Sequence, residues 1–188
     1  MKPTRRQFKQ QQRQCVFWKS LKRQRFKAMN KGICAKDVSR PIQKYFHQNG
    51  NTLQICGYSG FRFFYPDILI ITKARLAIDV EVKISRSDFK ADFKKHKHWN
   101  FEKRHFNHNY TSYFYFACPK GLIRLDEIPD YAGLIYVEGG KVEIVKKAPR
   151  LQSAKVCDET LYSIAVSLSA KCIYGESFMN AKRKQAHE

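Results

Sequence analysis

Acidic residues are scarce at the start of this chain, and most of those present lie close together. The first 87 residues hold only Asp37, Asp67, Asp79 and Glu81, and the last three fall within 15 residues. Lys83 follows Glu81 by two positions. Carboxylates brought together in a basic chain need cations, and their hard oxygen atoms suit Mg²⁺ or Mn²⁺. The spacing therefore predicts a divalent-metal site in this stretch.

Two neighbouring strands would carry these residues. The apolar run at 67–72 begins with Asp67, and a tight connection leads to a second strand at 76–85. Because side chains alternate along a strand, Glu81 and Lys83 would share one face while Val82 packs on the other. Asp67 and Glu81 would then hold the metal, with the Val82 carbonyl as a third oxygen ligand.

A metal held in this way suits the hydrolysis of a phosphodiester. Such a metal polarises the phosphate and lowers the pKa of a bound water. Lys83 would orient or deprotonate that water, or neutralise negative charge in the transition state. The predicted catalytic set is therefore Asp67, Glu81 and Lys83. The alternative interpretation is a solvent-facing ion pair on an edge strand.

The overall charge indicates a polyanionic partner. Thirty-six Lys and Arg against 16 Asp and Glu give a formal charge of +20 over 188 residues. Because phosphate neutralisation drives most non-specific nucleic-acid binding, nucleic acid is expected first and an anionic membrane surface is the weaker alternative. The sequence has no apolar run of membrane-spanning length, no secretory signal pattern and only scattered cysteines. We therefore expect a cytoplasmic protein of a bacterial or phage-infected cell, without a membrane partner.

Pro66-Asp67 followed by Glu81-Val82-Lys83 resembles the signature of the PD-(D/E)xK nuclease superfamily, whose members include restriction and repair nucleases. Three stretches, Glu81–Lys95, Tyr113–Pro119 and Gly133–Pro149, are similar in the same order to the MmcB-like group of bacterial DNA repair nucleases. The likeness covers roughly residues 60–150.

The resemblance implies a restriction-endonuclease-like core, an α/β fold in which a central mixed β-sheet is flanked by helices and carries the site at one edge. It also implies a Mg²⁺-dependent nuclease that cuts DNA, favoured over RNA, in DNA repair or in a phage or mobile element. A catalytically inactive nucleic-acid-binding protein on the same fold is the alternative. A homodimer is a reasonable expectation, since a double-strand cutter needs two sites.

Four further acids could assist the predicted site. Some sites of the superfamily use an acid from an early helix, for which Asp37 is the upstream candidate. Asp79 shares a face with Glu81 and could join the metal or form a peripheral salt bridge. Asp88 and Asp92 match a SxxDFxxD pattern of the resembling group, although helix capping and compensation of the helix dipole is the favoured interpretation.

A helix predicted from residue 85 to about residue 102 would carry basic residues beside the site. Lys90, Lys94 and Lys97 follow at helical spacing, and Arg86 lies in the first turn. Contact with the phosphates of a nucleic acid is the functional interpretation, and a solvated face is the alternative. The histidines nearby, at 96, 98, 105 and 108, lack a matching Cys or acid for zinc, and we expect surface imidazoles close to phosphate.

Patterning along the rest of the chain predicts its organisation. Residues 1–14 form a basic arm, 15–175 one nuclease-like domain and 176–188 a basic polar tail. Helices are predicted at 15–29, 37–47, 85–102 and 154–171, and strands at 53–58, 61–64, 67–72, 76–85, 113–117, 134–138 and 142–146. Gly139-Gly140 predicts a hairpin turn between the last two strands.

Overall fold

A computed structural model of the chain describes residues 32–185, except for 51, 59, 61, 107 and 108. The strands are β1 (Leu53–Cys56), β2 (Ile68–Ile71), β3 (Ala77–Val82), β4 (Thr111–Pro119), β5 (Gly133–Glu138) and β6 (Lys141–Lys146). The helices are α1 (Ala35–Gly50), α2 (Arg86–Asp92), α3 (His96–Lys103) and α4 (Asp158–Gln185). The predicted arm at 1–14 and helix at 15–29 lie outside the described residues.

The six strands form one sheet in which they lie side by side in chain order. β3, β4 and β5 run parallel, whereas β1, β2 and β6 are antiparallel to their neighbours. Parallel neighbours need long crossovers, and α2 and α3 supply the one between β3 and β4. The fold is therefore α/β with a central mixed sheet and flanking helices, as predicted.

The two faces of the sheet are covered by different helices. α1 packs along one face, where the Gln54 amide donates to the Gln43 carbonyl at 3.0 Å. On the other face, Ile164 of α4 lies in one buried cluster with Leu69 and Ala77. Alternation along the strands then puts Ile78 and Val80 beneath α1, and Asp79 and Glu81 on the opposite side.

Aromatic rings attach α2 and α3 to the face that carries Glu81. Phe89 of α2 lies 5.0 Å from Phe116, and Phe101 of α3 lies 4.8 Å from Phe114, measured between ring centroids. Phe114 and Phe116 are the β4 partners of Asp79 and Glu81 in the parallel register. An aromatic layer therefore borders the acidic residues of β3.

The single helix predicted at 85–102 is two helices. The chain leaves α2 after Asp92 and makes tight turns in which Lys94 N–H donates to the Ala91 carbonyl and Lys95 N–H to the Asp92 carbonyl. α3 then starts at His96. The break changes which side chains share a face, because residues of α2 and α3 no longer follow one helical periodicity.

Other predicted elements differ in extent. The strand predicted at 61–64 is a turn where it is described, with Phe63 N–H bonded to the Gly60 carbonyl and the Phe63 ring buried in the core. Helix α1 begins two residues earlier than predicted, so Pro41 lies inside the helix rather than in its first turn. α4 continues beyond residue 171, and its helical geometry is interrupted at Gly175.

Candidate active site

Asp67 and Glu81 are brought opposite each other by the pairing of β2 with β3. Ile68 pairs with Val80, so one further step along the antiparallel register places Asp67 across from Glu81 on the same face. Asp67 is an exposed residue whose carboxyl points inward, where Oδ2 accepts a hydrogen bond from Val82 N–H at 2.8 Å. Burial of the carboxyl and the charge of Glu81 raise the pKa of Asp67 to about 6.

Pro66 removes one main-chain hydrogen bond that the sheet would otherwise make beside these two acids. The same register places Pro66 across from Val82. Gly57 N–H donates to the Asp67 carbonyl, and Thr72 N–H donates to the Leu76 carbonyl. These two bonds show that even-numbered residues of this segment pair toward β3. Since proline has no N–H, Pro66 cannot donate to the Val82 carbonyl, and that oxygen is left without its partner in the sheet.

Lys83 continues the face that carries Glu81 and is buried with it. Its Nζ donates to Glu81 Oε2 at 3.1 Å and to Asp92 Oδ1 at 2.7 Å. Burial by itself would lower the pKa of Lys83, but the adjacent Glu81 and Asp92 carboxylates raise it above its ordinary value. Lys83 is therefore a cation held between two carboxylates, both of which favour its charged form.

Helices α2 and α3 add more charged side chains to this pair. We call Glu81, Lys83, Asp92, Lys95, Lys97 and His98 the charged cluster. Asp92, buried at the end of α2, also accepts hydrogen bonds from Lys95 Nζ at 2.5 Å and His98 Nε2 at 2.8 Å. Burial alone would raise the pKa of Asp92, but the His98 hydrogen bond and the Lys97 charge hold it far below its ordinary value.

Lys97 and His98 were predicted to lie on a surface, and both are buried. Lys97 Nζ donates to Glu81 Oε1, and its charge is the main factor that keeps the pKa of Glu81 below its usual value against the effect of burial. His98 Nδ1 lies 2.8 Å from the hydroxyl of Tyr131, which extends the cluster toward β5. Their burial follows from the break before α3, which turns both residues toward the sheet.

Asp79 is fully buried on the same face. Neither of its carboxyl oxygens has a hydrogen-bond partner among the described residues, so the peripheral salt bridge considered for it is not formed there. Burial raises the pKa of Asp79 to about 8, although the charge of Lys97 opposes the shift. A buried carboxyl in this state destabilises the fold, which makes Asp79 a further candidate for cation binding.

The two remaining candidate acids, Asp88 and Asp37, each lie in the first turn of a helix. Asp88 is in the first turn of α2, where its N–H donates to the Ser85 side chain, and its Oδ1 lies 3.7 Å from Lys83 Nζ. Asp37 is in the first turn of α1 on the opposite face, where its Oδ2 accepts a hydrogen bond from Cys34 N–H. Asp37 is therefore separated from the site by the sheet.

The basic residues predicted to contact phosphate do not form one stripe. Lys90 and Lys94 are exposed, whereas Lys97 belongs to the charged cluster. Arg86 is paired through both terminal nitrogens with Glu127 at 2.5 Å and also donates to a main-chain carbonyl. Of the four residues predicted to contact phosphate, Lys90 and Lys94 are therefore the two that are exposed and belong neither to the charged cluster nor to the Glu127 pair.

The oxygen donors at this edge are of the chemical kind that a hard divalent cation prefers. Asp67, Glu81 and the Val82 carbonyl provide three oxygens, and the unpartnered Asp79 carboxyl is a fourth. In the described part of the chain, however, no group of three or more His, Cys, Asp or Glu side chains is arranged to hold a metal ion. Both carboxylate oxygens of Glu81 instead accept hydrogen bonds from lysines, Oε2 from Lys83 and Oε1 from Lys97.

Comparison with known proteins adds a likeness of fold. No family model and no curated protein matches the chain. A solved structure of a protein of unknown function from Silicibacter pomeroyi is similar, with a TM-score of 0.52 and 18% sequence identity, covering 82% of this chain and 92% of that one. At this identity the likeness concerns the fold alone. Within the described residues, no helix is long and apolar enough to cross a membrane.

Proposed function

We propose that this chain is a Mg²⁺- or Mn²⁺-dependent nuclease of the PD-(D/E)xK type that hydrolyses the DNA backbone. The observation that carries the proposal is the convergence of Asp67, Glu81 and Lys83 at the end of β3, with Asp67 bonded to Val82 N–H and Lys83 bonded to Glu81. The net charge of +20 supports a substrate with many phosphates. The homodimer expected for a double-strand cutter stays a prediction.

Each residue of the set has a distinct task in this proposal. Asp67, Glu81 and the Val82 carbonyl would hold the metal, with Asp79 close behind them. The bound metal supplies a Lewis acid that polarises the phosphate and acidifies a water. Lys83, held between Glu81 and Asp92, would stabilise the negative charge of the transition state or orient and deprotonate the bound water.

Asp92 and His98 act on the reaction through Lys83. Asp92 fixes the lysine from the side opposite Glu81, and His98 in turn fixes Asp92 at 2.8 Å. Such support preorganises the ammonium group, so that little reorganisation is needed as charge develops. Both are positioning residues, and neither is proposed to contact the substrate.

A nucleic-acid-binding protein without turnover is the second candidate. Lys83 and Lys97 together occupy both carboxylate oxygens of Glu81. The two lysine ammonium groups neutralise Glu81 without a metal, as they would in a purely structural ion-pair network. The basic surface would bind nucleic acid equally well in both cases, so only metal-dependent cutting separates them.

The decisive variant is Asp67→Asn, because Asp67 is an exposed residue and an asparagine oxygen can still accept from Val82 N–H. Labelled single- and double-stranded DNA and RNA would be incubated with the wild type, with Asp67→Asn and with a matched control, Glu143→Gln on the exposed hairpin. We expect cutting that requires Mg²⁺ or Mn²⁺, is stopped by EDTA and falls about 100-fold or more in Asp67→Asn only.

Thermal unfolding of the same variants separates lost chemistry from lost folding. Glu143→Gln should unfold at nearly the wild-type temperature, and Asp67→Asn at that temperature or above it, because the pKa of the partly buried Asp67 carboxyl is raised to about 6. Equal binding of nucleic acid with no cutting under any metal condition would contradict the nuclease proposal and favour the binding protein. Lys83→Ala is a second variant that should lose activity. Its thermal unfolding must be measured as well, because Lys83 is buried between two acids.

A further inference from the structure

The outer side of α3 presents a large aromatic ring to solvent. Trp99 is 48% exposed. Two imidazoles flank its ring, with the His96 centroid 5.3 Å and the His105 centroid 5.8 Å away. We call His96, Trp99 and His105 the Trp99 platform. His96 is tilted by 32° against the Trp99 ring and His105 meets it edge-on, and Trp99 is more open than is usual for a residue type that is highly buried on average.

The Trp99 platform is held in place by its own helix. The buried Asn100 donates from its amide to His96 Nδ1 at 3.1 Å, and its carbonyl accepts from His105 N–H at 2.9 Å. Arg104 takes the left-handed conformation with φ 57° and ends α3, so the chain turns back and brings His105 beside Trp99. The His96 ring and the main chain of His105 are therefore held beside Trp99 before any partner arrives, which lowers the entropy lost on binding.

The charge around the Trp99 platform identifies the kind of partner. Between residues 90 and 105 the exposed cations are Lys90, Lys94, Lys95, Lys103 and Arg104, whereas Glu102 is the exposed acid. A flat aromatic surface inside a positive field fits a polyanion that offers flat rings of its own. Single-stranded nucleic acid has both properties, since its bases are free to stack on aromatic side chains while its phosphates meet the cations. In a duplex the bases are already stacked on each other.

We propose that the Trp99 platform stacks an unpaired base of a nucleic acid whose backbone passes the exposed Lys95 at the rim of the charged cluster. Lys95 connects the two regions: it immediately precedes α3, is 53% exposed, and lies 2.5 Å from Asp92 and 3.6 Å from Glu81. A strand held on Trp99 therefore reaches the rim of the site within the length of one short helix. The inference rests on the nucleic-acid binding of the proposed function and deepens it, because it assigns a substrate with single-stranded bases.

The experiment measures binding in EDTA, where cutting is stopped. The chain has two tryptophans, Trp18 and Trp99, so a Trp18→Phe background leaves Trp99 as the fluorescent reporter. The ligands are a single-stranded oligothymidylate, an abasic oligonucleotide of the same length and charge, and a duplex. We expect the oligothymidylate to quench Trp99 fluorescence and the abasic strand to leave it almost unchanged.

Variants of Trp99 then test the energy of the contact. In the otherwise wild-type chain, Trp99→Ala should weaken binding of the oligothymidylate about tenfold, the order that one base–aromatic stack contributes. Its affinity for the abasic strand and for the duplex should be almost unchanged, and Trp99→Phe should recover most of the lost affinity. The matched control is Tyr162→Ala, which removes another exposed ring on α4 and should leave all three affinities unchanged.

Five outcomes would overturn the proposal. Equal losses of affinity for the oligothymidylate and the abasic strand would mean that Trp99 supports the charges and does not stack a base. Tighter binding to the duplex than to the single strand would assign the surface to paired nucleic acid. Quenching of Trp99 by anionic lipid vesicles alone would assign it to a membrane. Phosphate-driven binding without stacking leaves the nuclease proposal standing, whereas the absence of any nucleic-acid binding contradicts both.

Discussion

The two faces of β3 are equally buried and are built from opposite kinds of side chain. On the α1 side, Ile78, Val80 and Val82 pack as an apolar layer. On the other side lie Asp79 and Glu81, with solvent-accessible fractions of 0% and 2%. Alternation alone produces this separation, since neighbouring residues of a strand point in opposite directions.

The difference lies in what burial does for each face. Burying apolar groups stabilises the fold in proportion to the area removed from water. Burying charges costs free energy, which the ion pairs of the charged cluster offset only in part. Replacement of buried ion pairs by apolar residues is often neutral or stabilising in proteins, so such pairs are weak evidence for stability. The charged face is therefore better explained by chemistry at the site than by folding.

The largest effect should come from removing one charge of the buried face. Lys83→Ala leaves Glu81 and Asp92 with less compensation, and we expect the free energy of unfolding to fall by roughly 3–5 kcal/mol. Urea denaturation measures it, with Ile84→Ala as the control, since Ile84 is the next residue and is 42% exposed. An equal loss of unfolding free energy in Lys83→Ala and Ile84→Ala would mean that Lys83 is hydrated. The charged face of β3 would then not differ from an exposed surface.

A truncation on the apolar face should have a smaller effect. Val80→Ala removes two methyl groups from a fully buried position, and we expect a loss of about 2 kcal/mol. The loss should be insensitive to salt, because no charge is involved. Nucleic-acid binding at a temperature where the variant is folded should match that of the wild type. Weakened binding would show that the faces are coupled through the strand.

Asp79→Asn should act in the opposite direction and stabilise the protein. The pKa of Asp79 is raised to about 8 in the folded protein, so the folded state retains a proton that the unfolded chain releases above about pH 4. This difference lowers stability progressively from about pH 4 to about pH 8. Asparagine has no proton to retain, so we expect a gain at pH 7 of up to about 4 kcal/mol, which is about 1.4 kcal/mol for each pH unit above about pH 4.

Unfolding free energies of Asp79→Asn and wild type, measured from about pH 4 upward, check this sign. The gain should be absent near pH 4 and largest above about pH 8. A gain that stays constant with pH would contradict an unpaired buried carboxyl. Addition of Mg²⁺ sharpens the comparison: if Asp79 contributes to a metal site, the wild type should be stabilised more than the variant, and the gap should close.

Local patterning was sufficient to predict the strands that carry the site. Alternating residues predict β3 and a shared face for Glu81 and Lys83. The hydrogen bond from Lys83 Nζ to Glu81 confirms that the two side chains lie on the same face. Gly139 and Gly140 predict the hairpin of β5 and β6, and both have positive φ, of 55° and 80°. These features depend on neighbouring residues, so the sequence contains most of the information needed for them.

The partners of the site could not be predicted in the same way. Lys97 and His98 occupy a basic segment that is typical of an exposed helix, and their burial depends on a helix break at residues 93–95. Neither Gly nor Pro marks that break. The role of Asp92 as an acceptor for Lys83 and His98 is likewise a tertiary contact. A periodic pattern predicts which residues share a face only while one helix continues.

The smallest effect should come from the cap that orients α2 toward the charged face. Ser85 is the N-cap of α2, in the extended conformation, and its hydroxyl accepts from Asp88 N–H at 3.1 Å. Ser85→Ala leaves that N–H without its partner, so the free energy of unfolding should fall by about 1 kcal/mol. The control is Ser169→Ala, an exposed position inside α4 where alanine, the better helix former, should stabilise slightly.

The same cap should also affect activity, because α2 carries Asp92 against Lys83. Ser85→Ala should reduce metal-dependent cutting more than its small effect on stability explains. Ser85→Asp keeps an acceptor at the cap and should restore both stability and cutting. Loss of stability with unchanged cutting would show that Asp92 is held by its own ion pairs, independently of the helix that carries it.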